Sequence, residues 1–125
     1  MTKKQKQTEV MKFINIMQPK LFLHDWKIEV LIIEKPHHKG DHIAADVAPD
    51  PIYKHATIRV FPSHWESDQD DRMHNLLHEM VHLIIEPLNH LIYCARNGEA
   101  ITPQDQERTL ERTVQHVTDS LFHLN

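Results

Sequence analysis

The chain has one cysteine and two glycines among its 125 residues. Cys94 alone cannot form an internal disulfide, which points to a reducing compartment and excludes a Cys-rich zinc finger. Any metal site is therefore expected to be built from His and carboxylate. So few glycines, with no low-complexity run and no internal repeat, leave no flexible linker. Positive charge is not in excess: 14 Lys and Arg face 18 Asp and Glu, and the net charge of −4 gives no electrostatic footing for nucleic acid. No apolar run approaches a membrane span, and the basic start at Lys3, Lys4 and Lys6 leads into no signal-peptide core, so no membrane partner is expected. What is present is 40% hydrophobic and 26% charged residues, fitting one folded domain over residues 1–125, and 12 histidines.

Local patterns predict an α+β order. Val10, Phe13, Ile14 and Met17 recur at helical spacing from Thr8 until Pro19 limits the helix, and Leu21, Phe22 and Leu23 follow as docking residues. Trp26, Ile28, Val30 and Ile32 alternate as in a half-buried strand. Lys35 to Asp41 reads as a turn whose neighbouring His37 and His38 are expected to be solvated. His42 to Val47 is a weaker second strand, broken by Ala48-Pro49-Asp50-Pro51, and Ala56 to Phe61 is a third. The short connections suggest a mainly antiparallel three-stranded sheet. Ser67 is the expected N-cap of a central helix, with Asp68, Asp70 and Asp71 in its first turn and Pro87 as its stop. Its many apolar residues, Met73, Leu77 and Val81 among them, predict burial. Leu88 to Ala100 reads as a connection, and Thr102-Pro103-Gln104-Asp105 as the start of a closing helix.

The central helix carries His78-Glu79-Met80-Val81-His82, an H-E-x-x-H sequence. Residues four apart lie one above the other on a helix, so His78 and His82 can point two imidazoles at one metal. Glu79, about 100° round the helix from His78, can reach a water on the metal's open side and act as general base. Twelve histidines raise the chance rate of such a match. The uncharged flanks Leu77, Met80, Val81, Leu83 and Ile84 argue against chance.

A catalytic zinc needs a third protein ligand. Ile85 and Leu88 stand where a metzincin would have Gly and His, which excludes that class. A later helix can supply a Glu instead. On the closing helix, Leu110, Val114, Val117 and Leu121 form an apolar stripe whose centre lies about 50° from Glu107 and about 90° from Glu111. Glu107 is therefore expected to face inward as the ligand, and Glu111 to support a ligand His or to replace Glu107.

With its leading helix, the stretch Leu23 to Ile28, two further strands, L-H-E-x-x-H-L and a closing helix with E-x-x-x-E, the chain resembles minimal gluzincin-type zincins. These are small metallopeptidases of phage and mobile elements related to the ImmA/IrrE class. The resemblance covers nearly the whole chain in layout, but only His78 to Leu83 is specific. It implies a zincin-like α+β fold, Zn2+ as cofactor and cytoplasmic hydrolysis of a peptide or protein substrate, with Glu79 as base. Zincins align substrate along an exposed sheet edge, for which Ala56 to Phe61 is the expected strand. Tyr53, His74, His90 and Tyr93 remain open as oxyanion partners. The alternative is a non-catalytic, metal-stabilised regulatory or interaction module on the same fold, for which an intact Glu79 would be unnecessary.

Overall fold

A computed structural model describes residues 1–40 and 42–124, with side chains placed to Leu121 in the last helix. Asp41, at the end of the expected turn, lies outside the described residues. The elements run α1 (Lys3–Lys20), β1 (Lys27–Ile32), β2 (Ala45–Asp50), β3 (His55–Val60), a short 3-10 turn (Pro62–Glu66), α2 (Gln69–Arg96) and α3 (Pro103–Leu124). Together they form a mixed α+β fold of three helices and a small three-stranded sheet. Among the described residues no helix is long and apolar enough to cross a membrane.

The sheet is mixed rather than mainly antiparallel. Its order is β1-β3-β2, with β1 parallel and β2 antiparallel to β3. Ala56, Ile58 and Val60 are fully buried, which explains why β3 takes the central place. The expected edge role of Ala56 to Phe61 therefore fails, because β3 is paired on both sides. Strand β2 also sits further along the chain than expected and includes Pro49. An edge strand tolerates proline where the missing N–H would face away from the ladder.

Thr2 and Gln5 form a capping box that starts α1 ahead of Thr8, and Pro19 falls in its last turn. Val10 and Ile14 pack with Leu21, Leu23, Trp26, Val30, Ile32, the β3 residues and Leu76, Met80, Leu83 and Ile84 of α2 in one core. An Arg72–Glu9 ion pair at 2.9 Å ties α2 to α1.

Asp68 rather than Ser67 caps α2, accepting from the Asp71 N–H at 2.9 Å. Pro87 does not stop the helix, which continues to Arg96 and absorbs most of the expected connection. A proline costs one ladder hydrogen bond and some strain but need not end a helix, and the turns beyond it here are half-buried or exposed. Nor is α2 buried all round. Met73, Val81 and Ile85 reach solvent, while the polar Glu79 and Glu86 are buried.

Helix α3 starts as its sequence predicts, with Thr102 and Asp105 exchanging side chain–backbone hydrogen bonds. Its rotational setting differs. Leu110, Val114 and Leu121 are 50%, 51% and 58% exposed, and the docked face carries Thr113, His116, Val117 and Ser120. The Ser120 hydroxyl and His116 Nε2 both meet the Leu21 carbonyl at the end of α1, at 3.1 and 2.6 Å. Small side chains permit this close approach, and the carbonyl of a helix end needs donors.

Candidate metal centre

One face of α2, opposite the edge strand β2, carries the motif. The rings of His78 and His82 lie 4.9 Å apart and steeply inclined, with their Nε2 atoms at 3.2 Å. Two imidazole nitrogens on one tetrahedral zinc, each about 2.0–2.1 Å from it, stand about 3.3 Å apart. The pair fits that requirement. His78, Glu79 and His82 each offer a ligand atom within 4.8 Å of the others, the one such group among the described residues.

Helix geometry separates their environments. Glu79 points toward the sheet and is 6% exposed, whereas His78 and His82 face solvent. Burial, with a smaller contribution from the negative charge of Asp46, pushes the Glu79 carboxyl up to about 7. Burial and then the neighbouring His78 lower His82, which favours the neutral ring that a cation needs.

Cavities flank Glu79 on both sides along β2. One of about 310 Å³ is lined by His42, Ala44, Ala45, His74, His78 and Glu79. Another of about 210 Å³ is lined by Asp46, Val47, Pro49, Glu79, His82 and Glu86. Together they trace a groove between the free edge of β2 and α2, with Glu79 at its middle.

Sequence reasoning missed the β2 side of this groove. Asp46 holds the Arg59 guanidinium through two hydrogen bonds, with Arg59 Nε 2.8 Å from its Oδ1. His37 Nε2 stands 3.3 Å from the same carboxylate. His37 is thus buried rather than solvated: its Nδ1 accepts from the Lys39 N–H, and its ring packs edge-on against Phe61. His42 reaches the groove because Gly40 leaves room, since a Cβ there would lie 2.6 Å from the His42 ring. A weak strand next to a histidine turn carried no local signal for these contacts, which depend on β2 pairing with β3.

The structure does not bring Glu107 or Glu111 to the histidine pair. Both are exposed, and three of the four residues from which their angles were measured, Leu110, Val114 and Leu121, are themselves turned to solvent. Asp105 and Thr109, flanking Glu107, line a cavity with His90, Leu91 and Cys94. That places Glu107 about two turns of α2 beyond His82. Of the residues considered for an oxyanion, His74 alone lines the cavities beside His78. Tyr53 is 81% exposed in the β2–β3 turn, and His90 stacks with Tyr93 further along α2.

Compared with family models, with curated proteins and with solved structures, the chain gives no match in any of the three.

Proposed function

We propose that this chain is a zinc-dependent peptidase of the zincin type. The observation that carries the reading is a buried Glu79, its carboxyl pushed up to about 7, beside two imidazoles at metal-ligand separation. Zinc bound there supplies a water of lowered pKa and a Lewis acid for the scissile carbonyl. Glu79 takes the proton from the attacking water and passes it to the leaving amine. A carboxyl near pKa 7 suits both halves of that transfer, and a purely structural metal site has no need of it.

The substrate extends along the free edge of β2, which replaces Ala56 to Phe61 in that role. Backbone hydrogen bonds to Ala45 through Asp50 would carry the peptide past Glu79, with His74 or His42 over the reacting carbonyl. The third zinc ligand is a carboxylate drawn to the histidine pair. Asp46 already lines the groove with His82, whereas Glu107 and Glu111 of α3 require a larger movement. Zinc retention by Asp46→Asn, Glu107→Gln and Glu111→Gln ranks the three. The proposed setting is the cytoplasm, where Cys94 stays reduced.

Incubation of the zinc-loaded protein with a mixed peptide library tests the reading. Glu79→Gln should keep its zinc while cleavage falls by about 10²–10⁴-fold. Cleavage at the wild-type rate by that variant would remove Glu79 from the chemistry. A wild-type protein that holds zinc and cleaves nothing would favour a metal-stabilised interaction module.

A further inference from the structure

A second meeting of donor side chains lies at the far end of α2, where the chain turns into α3. The Asn97 N–H bonds back to the Tyr93 carbonyl at 3.1 Å, and Gly98 takes φ 73°, a conformation that disfavours other residues. The Glu99 N–H then donates to the Cys94 carbonyl at 3.0 Å, which folds Glu99 back over the helix end. The neighbouring Glu99 carboxylate pushes the Cys94 thiol up. From the other side His90, one turn earlier, sets Nε2 3.6 Å from Cys94 Sγ. All three line a cavity of about 420 Å³ between the end of α2 and the start of α3.

A sulfur and a nitrogen on one tetrahedral zinc, with bonds of about 2.3 and 2.0–2.1 Å, stand about 3.5 Å apart. The His90–Cys94 pair has that separation. Thiolate, imidazole and carboxylate together suit a borderline-soft divalent cation rather than magnesium or calcium. Glu99 lines the same cavity but is not gathered with His90 and Cys94, and its exposed side chain is free to swing onto a cation held by those two.

We propose that His90, Cys94 and Glu99 form a second divalent-metal site, for Zn2+ or Co2+, separate from the His78–His82 groove. Binding forms the metal–sulfur bond as the thiol proton passes to solvent. His90 and Glu99 add donors without changing their bonding otherwise. The site clasps the α2–α3 turn.

Co2+ titration of the full-length protein tests this, because thiolate coordination gives a near-ultraviolet sulfur-to-cobalt band that imidazole and carboxylate do not. The band should appear in wild type and in a His78→Ala/His82→Ala protein, and vanish in Cys94→Ser. His90→Ala and Glu99→Gln should each weaken the Co2+ affinity read from it by more than about 10-fold, the least expected for a ligand when supporting groups alone cost that much. In wild type, Zn2+ should also slow alkylation of Cys94, a readout that needs no folded variant. Absence of the band in wild type would overturn the site, as would undiminished affinity in both the His90 and Glu99 variants. The first metal centre contains no sulfur, so neither result bears on it.

Discussion

Glu79 and His64 are moved in opposite directions, chiefly by burial: the carboxyl up to about 7 and the imidazole down to about 4. For Glu79 the folded value is raised, so its contribution to stability is complete below the unfolded value near 4.5 and is lost as pH rises through about 7. For His64 the folded value is depressed. Its contribution is complete above about 6.5 and is lost as pH falls through about 4. At about 1.4 kcal/mol per pKa unit, each contributes about 3 kcal/mol at most. In metal-free protein the two should largely cancel between pH 5 and 6.5, giving a nearly flat profile of unfolding free energy in urea. Glu79→Gln should raise stability at pH 8 and uncover the His64 decline toward acid. Parallel wild-type and variant profiles would show that Glu79 is not held neutral by the fold. The motif itself was legible because its geometry is local, set by a four-residue spacing on one helix. The depth of Glu79 was not, since it depends on how α2 lies against β2.

Helix α3 shows where an apolar stripe misleads. Leu110, Val114 and Leu121 obey helical periodicity, yet the helix docks through Thr113, His116, Val117 and Ser120. The deciding group is on another element, the buried Leu21 whose carbonyl ends α1 and takes hydrogen bonds from two α3 side chains. Removing either donor leaves the other, so Ser120→Ala and His116→Ala should each cost about 1 kcal/mol. Removing both should cost about 1 kcal/mol more than the sum, because the carbonyl is then buried and unpaired. A double-mutant cycle on urea midpoints that proves additive would show that Leu21 does not set the helix's rotation. That rotation also turned Glu107 and Glu111 outward. The start of the same helix was legible because Thr102 and Asp105 settle it within four residues.

At the scale of the molecule, strand alternation told which side chains face the core but not which strands are neighbours. β1 and β2 are consecutive yet separated by β3, a choice made by the burial of Ala56, Ile58 and Val60. That order leaves β2 with a free edge beside α2 and so creates the groove through Glu79. The central claim is that His78 and His82 hold a metal in that groove. The direct test is zinc content, by elemental analysis after dialysis against a weak chelator, in a Cys94→Ser background that removes the second site. One zinc per chain should remain, persist in Glu79→Gln and be lost in His78→Ala and in His82→Ala. Zinc that survives both histidine substitutions, or a Cys94→Ser protein that holds none, would contradict the account.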